Sequence, residues 1–452
     1  MQLSLTKNLP NDGLIAWNEN GSISHAQFIA DVTQLANKLP NRKYAINLCE
    51  QRYSFMVAFA AVVVRQQTNL LPQSRIVENI NAVAENYSEH YCISETILDG
   101  IRSHQIEVEY NIAKYQKTKF DKVITIPTVD SEHVAAIVFT SGSTGKPQAN
   151  KKSWGELVTG ARMSAEHFGF IDKPAHLVAT VPPQHMYGLE TSILYSLQCA
   201  CPIYAGRPFY PDDIRRAAES ISSPVVLVTT PVHLRACNGA VSIRWQNIKF
   251  IISATAPLRV ELAEQVSAKM NTTVKEIYGC TETGAVASRE PVKSEVWELF
   301  NGVDLYHKND KTFIRAKHFN NDIELNDLIE IIGEQNFRLV GRDADLINIA
   351  GKRGSLADIT LKLQSIEGIK DAVVYFPEST AEVNRLMAFV VTDGLDEKVI
   401  STELANKIDS VFIPRPIYRV KKLPYNETGK LSQKLLQDLH RQCKHAQKLN
   451  NN

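Results

Sequence analysis

The chain has 452 residues, with 50 Lys and Arg against 49 Asp and Glu and a hydrophobic fraction of 44%. That length can bury several cores and predicts two or three domains, while the near cancellation of charge leaves no net field to draw nucleic acid or an anionic membrane, so neither is expected as a partner. The longest apolar run, residues 55–64, is too short to span a bilayer and reads as a buried helix. Seven cysteines without paired spacing predict reduced thiols and no disulfide framework or cysteine metal site. Residues 1–22 carry no apolar core or cleavage signature, so a soluble, cytoplasmic protein is expected.

In chain order, a strand over 44–48, a helix over 53–66 and a strand over 68–71 make a first βαβ pattern. Strands over 135–139, 177–181, 224–229, 249–253 and 273–277 extend the alternation. The predicted class is α/β, a large N-terminal domain of stacked βαβ units with a largely parallel sheet. After Arg342 the pattern changes to a compact α+β set: helix 356–366, strands 372–376 and 386–391, helix 401–410, strand 418–421 and helix 432–442. Residues 443–452 read as a frayed end. The expected division is 1–341, an ATP- and acid-binding domain, and 342–452, a small lid joined at residues 341–345.

Behind the apolar run 135–139 stands Phe139-Thr140-Ser141-Gly142-Ser143-Thr144-Gly145-Lys146-Pro147. Gly142 and Gly145 allow close approach of backbone to an anion, the hydroxyls and N–H groups donate to it, and Lys146 adds a point charge. The spacing is not that of a Walker A loop: two residues separate the glycines, and Pro147 follows the lysine. Pro147 restricts Lys146, so the loop should stay irregular and mobile and not run straight into a capping helix. Such a loop is also a common surface turn, and only the downstream segments give it a specific meaning.

Three such segments lie downstream: Tyr278-Gly279-Cys280-Thr281-Glu282, Gly341-Arg342 leading to Gly351-Lys352-Arg353, and Thr428-Gly429-Lys430. In this order the four resemble the adenylate-forming superfamily of acyl- and aryl-CoA synthetases, amino-acid adenylation domains and luciferases, from about residue 139 to residue 430. The resemblance implies ATP and Mg²⁺, a small carboxylic acid as substrate, and CoA or the phosphopantetheine of an acyl carrier protein as acceptor. It implies that Thr140, Ser141, Ser143, Thr144 and Lys146 hold the β- and γ-phosphates, that Thr281 bonds the α-phosphate, that Glu282 coordinates Mg²⁺ and that Tyr278 stacks on adenine. Asp327 and Arg342 would grip the ribose hydroxyls, although Leu325-Asn326 replaces the usual Thr-Gly before the aspartate. Lys430 would be the mobile lysine bridging the acid carboxylate and the ATP phosphate. Two departures stand out: Ala344 replaces the usual Asp or Lys at the hinge, and Ser253-Ala254-Thr255-Ala256-Pro257, the adenine-side loop, lacks glycines the family often has there.

The segment Val181-Pro182-Pro183-Gln184-His185-Met186-Tyr187-Gly188 corresponds to the family's acid-lining stretch, with His185 as in CoA-ligase-like members. Amino-acid-activating members place an aspartate there to pair with the α-ammonium. None occurs between Gln184 and Leu189, which disfavours an α-amino acid. Tyr187 and Met186 suggest an apolar wall for an aryl or acyl group. Short segments before residue 139 and between Glu282 and Gly341, with the run 344–353, resemble ligases of bacterial aryl-polyene and xanthomonadin-type pigment pathways. A hydroxybenzoate- or hydroxycinnamate-like acid is then expected. The alternatives are a fatty acyl-CoA synthetase and a nucleotide-binding scaffold without turnover.

Overall fold

The computed structural model describes residues 1–117, 124–141, 147–240, 243–309, 311–342, 346–349, 352–377, 385–426 and 431–450. The chain divides into two units, Met1–Asp304 with Arg315–Ile323, and Leu305–Ile314 with Glu324–Asn452.

In the first unit the strand Tyr44–Asn47, the helix Arg52–Val64 and the strand Thr68–Leu71 form the anticipated βαβ element. The helix is apolar on every side and buried along nearly its whole length, so it fills an interior layer rather than presenting one face to a core. Around it lies a six-stranded sheet in the order Pro147–Ser153, Val134–Ser141, Thr68–Leu71, Tyr44–Asn47, His90–Ser94, Gln105–Glu107. All neighbours are parallel except the first pair. The second sheet of this unit has a parallel centre, Thr273–Cys280, Ile248–Ser253, Val225–Thr229 and His176–Ala179, whose β-branched runs are buried on both faces. Gly284–Arg289 adds antiparallel to Thr273–Cys280.

The second unit holds the hairpin Asp327–Ile332 with Asn336–Arg342, the ribbon Leu346–Ile349 with Lys352–Ser355, and a three-stranded sheet of Ile369–Tyr375, Met387–Thr392 and Ile417–Arg419. A division at residue 341 would cut the last rungs of the Asp327–Arg342 ladder, which is why the structural boundary falls earlier than the sequence suggests. Two helices also differ from expectation. The helix expected over 401–410 is Glu397–Ala405, because Asp396 accepts the Val399 N–H at 2.9 Å and starts it a turn earlier. The last helix runs Gln433–Asn450 instead of fraying at 443: Leu436, Leu439 and Cys443 continue one apolar stripe against Phe389, Tyr418 and Leu423. All seven cysteines are free thiols. No helix among the described residues is long and apolar enough to cross a membrane.

Candidate active site

The strands Val134–Ser141 and Pro147–Ser153 pair antiparallel up to Ser141 opposite Pro147, so the five residues 142–146 join the ends of a hairpin. Gly142, Ser143, Thr144, Gly145 and Lys146 lie outside the described residues, as does the side chain of Ser141; Thr140, half-buried, ends the described side chains of the first strand. Pro147 opens a strand and not a helix. The helix comes only at Trp154–His167, where Ser153 and Glu156 form a capping box, Ser153 N–H to Glu156 Oε2 at 2.7 Å and Glu156 N–H to Ser153 Oγ at 3.1 Å.

Thr281, Glu282 and Thr283 form the turn between the strands Thr273–Cys280 and Gly284–Arg289. Thr283 Oγ1 accepts the Cys280 N–H at 3.1 Å. A Cβ on Gly279 would fall 2.0 Å from the Gly284 carbonyl oxygen, so only glycine admits this tight return. Lys152 Nζ donates to the Glu282 carbonyl, tying the turn to the strand that leaves the phosphate loop. Two neighbours of the nucleotide motif are thereby held together through a residue that no sequence motif marks. Lys151-Lys152 reads as a solvated pair, yet strand alternation turns Lys151 outward and leaves Lys152 only 6% exposed.

Tyr278 is buried, with its ring tilted against Trp297 at a centroid distance of 5.7 Å. Two residues before it, Glu276 accepts the Leu258 N–H at 2.8 Å and pairs with Arg289 at 2.6 Å, which braces the loop 253–257 against this strand. In that loop Thr255 has φ 82°, a left-handed backbone that a β-branched residue adopts at a cost and that glycine adopts freely. The missing glycine of this loop is thus a strained position. The buried hydroxyls Ser253 Oγ and Thr255 Oγ1 have no hydrogen-bond partner among the described residues, which leaves two polar groups for a ligand on this side.

His185 caps the short helix Met186–Gly188, which continues as a π-helix over Leu189–Leu194. A Cβ on Gly188 would meet the Pro182 oxygen at 2.1 Å, so glycine lets the acid-lining segment fold back on itself. Tyr187 donates its hydroxyl to Ile252 O at 3.0 Å, giving the wall a fixed ring position. Residues 184–189 carry no carboxylate, but the next residue, Glu190, enters a pocket with Lys152, Met186, Gly284, His318 and Phe319. Glu190 Oε2 accepts the Ala285 N–H at 2.9 Å.

Burial pushes Glu190 up to about 7 from its ordinary 4.5, while the Ala285 N–H and the Lys152 charge pull it down. Burial, with Lys152 nearby, pushes His318 down to about 4, so its ring is neutral at pH 7. Between about pH 4.5 and 7 the folded protein keeps the Glu190 proton that the unfolded chain has released. The contribution of this group to stability therefore falls as pH rises through that window and is constant above it. Glu190→Gln, which cannot ionise, should gain on the wild type by about 3 kcal/mol between pH 4.5 and 7. Denaturant titrations at several pH values check this, and parallel curves for the two proteins would remove Glu190 from the titration.

In the second unit, Asp327 and Arg342 stand directly opposite each other across the Asp327–Ile332 and Asn336–Arg342 ladder. The pair is fifteen residues apart in sequence and one rung apart in space. The Arg342 side chain, residues 343–345 with Ala344, Gly351 and residues 427–430 with Lys430 lie outside what is described.

A hairpin-held phosphate loop, a braced Thr-Glu turn and an acid-lining helix converge in one α/β unit, as in ligases that form acyl-adenylates. Residues 38–305, more than half of the chain, match the AMP-binding enzyme family, and the protein belongs to that family. It is an ATP-dependent, AMP-forming ligase that makes an acyl-adenylate. The chain is similar to a 3,4-dihydroxybenzoate–[aryl-carrier protein] ligase of Bacillus anthracis, 25% identical over 319 residues, 68% of this chain and 74% of that one. It is similar also to a 4-coumarate–CoA ligase of Halorhodospira halophila, 27% identical over 322 residues, 67% of this chain and 76% of that one. The ATP-bound MatB structure from Rhodopseudomonas palustris, 18% identical, has a TM-score of 0.81 over 96% of this chain and 97% of that one, which shows a shared fold.

Proposed function

We propose that the protein activates a hydroxybenzoate- or hydroxycinnamate-like acid and passes the acyl group to the thiol of CoA or of a carrier protein's phosphopantetheine. The observation that carries this reading is the junction made by Lys152 and Glu190, which joins the strand leaving the phosphate loop, the Thr281–Glu282 turn and the acid-lining helix. Relatives that act on 3,4-dihydroxybenzoate and 4-coumarate support an aryl acid. The likeness to pigment-pathway ligases and a cytoplasmic location belong to the same proposal.

Attack of a carboxylate on the α-phosphorus brings two anions together, so the site must offset negative charge. Thr140, Ser141, Ser143, Thr144, Lys146 and the glycines between them would receive the β- and γ-phosphates, and Thr281 the α-phosphate. Asp327 and Arg342 would hold the ribose, Tyr278 the adenine, and His185 would flank the acid carboxylate. Lys430, carried on residues 342–452 as a lid, would bridge the acid and the phosphate. No group of three His, Cys, Asp or Glu occurs among the described residues, so Mg²⁺ at the half-buried Glu282 would take one carboxylate and complete its shell from phosphates and water. The ion would supply charge neutralisation on the phosphates. Glu282→Gln should raise the Mg²⁺ concentration needed for half-maximal rate, and an unchanged dependence would remove Glu282 from that role.

Acid-dependent pyrophosphate exchange tests the substrate class. Aromatic acids should turn over faster than dodecanoate. Faster exchange with dodecanoate would favour a fatty acyl-CoA synthetase, activity with α-amino acids would contradict the argument from the missing aspartate, and no exchange with any acid would favour the scaffold.

A further inference from the structure

We propose that Glu190 and His318 form the polar end of the acid pocket and read a phenolic hydroxyl on the substrate, as specificity-determining residues. This rests on the aryl-acid reading above. Glu190 is 2% exposed, and only one of its carboxylate oxygens is used: Oε2 takes the Ala285 N–H, whereas Oε1 has no hydrogen-bond partner among the described residues. His318 Nε2 is likewise buried without one. A buried carboxylate oxygen left unpaired is costly, and two such atoms lining one pocket call for a ligand that satisfies both.

The pocket is placed for that ligand. Met186 adjoins His185 of the acid-lining segment, and Gly284 follows the Thr281–Glu282 turn by one residue, so the space extends from where the acid carboxylate would meet the α-phosphate. At Gly284, φ 68°, a Cβ would lie 3.0 Å from Glu190 Oε2 and 3.4 Å from Met186 Cε. Glycine thus keeps the passage open. Met186 and Phe319 supply apolar surface for a ring. A phenolic hydroxyl both donates and accepts: it can donate to Glu190 Oε1 and accept from His318 Nε2. A plain ring leaves both buried atoms unpaired, and a site built around a hydroxyl rejects the analogue that lacks it. Lys152, already donating to the Glu282 carbonyl, offsets the Glu190 charge.

Pyrophosphate exchange on matched acids tests this: 4-hydroxybenzoate against benzoate, and 4-hydroxycinnamate against cinnamate. The wild type should prefer the hydroxylated member of a pair by about 10- to 100-fold in kcat/KM. Glu190→Gln and His318→Phe should each bring that ratio toward one. A merely structural role would lower both acids alike and leave the ratio intact, which would overturn the proposal. A wild type that uses both members equally would overturn it without any variant, and leave the aryl reading standing. Preference for an acid with a second carboxylate would overturn it in favour of Lys152 as the reader. If dodecanoate is activated and no aromatic acid is, both readings fall together.

Discussion

Lys430→Ala is expected to slow acyl-adenylate formation by a factor of about 10² to 10³, the scale of removing one preorganised charge-stabilising donor. The lysine would meet its partners only when acid carboxylate and phosphate are brought together, so its charge counts most in that transition state. Capture of the acyl group by a thiol involves no such meeting of anions. A single-turnover experiment with preformed acyl-adenylate and thiol should therefore show a much smaller loss. Equal losses in the two half-reactions would reject this division of labour. Because the lysine follows Thr428-Gly429 and precedes the helix Gln433–Asn450, its alanine variant should retain the stability of the wild type.

Arg52→Ala is expected to cost about 3–5 kcal/mol of stability and to weaken use of the acid as well. Arg52 is wholly buried at the start of the helix Arg52–Val64 and donates to Ser192 Oγ at 2.6 Å, Ala179 O at 2.9 Å and Val181 O at 2.7 Å. Burial and the neighbouring Arg207 push it down to about 9, which leaves it a cation at neutral pH. Alanine would strand three buried acceptors and leave a cavity where a long side chain had been. Val181 opens the acid-lining segment and Ser192 follows it, with the Ser192 hydroxyl itself donating to the Gly188 carbonyl. Arg52 therefore pins both ends of that segment, and the variant should raise KM for the acid beyond what lost stability alone explains. Denaturant unfolding checks the first effect. The second is checked by KM at a temperature where both proteins are folded, and an unchanged KM would confine Arg52 to stability.

Local order was readable wherever one stretch of chain settles it. The strand Thr68–Leu71 and the helix Arg52–Val64 arise from a β-branched run and an apolar run of about the right lengths, and the start of Pro147–Ser153 as a strand reflects the restriction a proline places on the residue before it. The helix at Glu397–Ala405 was readable too, since Asp396 is a sufficient cap, but apolar periodicity alone places it a turn too late. The phosphate loop, the Thr281–Glu282 turn and the Asp327 and Arg342 positions are short motifs whose residue types state their chemistry.

Tertiary structure alone decided the rest. Lys152, Glu190 and His318 belong to a strand, a π-helix and a loop, and each by itself looks like an ordinary polar residue; sheet order and helix packing bring them to one pocket and bury them. Their environment, including the raised Glu190 and lowered His318, comes from desolvation by distant segments, which no local pattern encodes. The division of the chain was decided in the same way, because the Asp327–Ile332 strand finds its partner in Asn336–Arg342 and carries residue 341 with it. A motif fixes which atoms are available within a few bonds of each other, whereas burial, pairing and charge depend on the segments that fold against them.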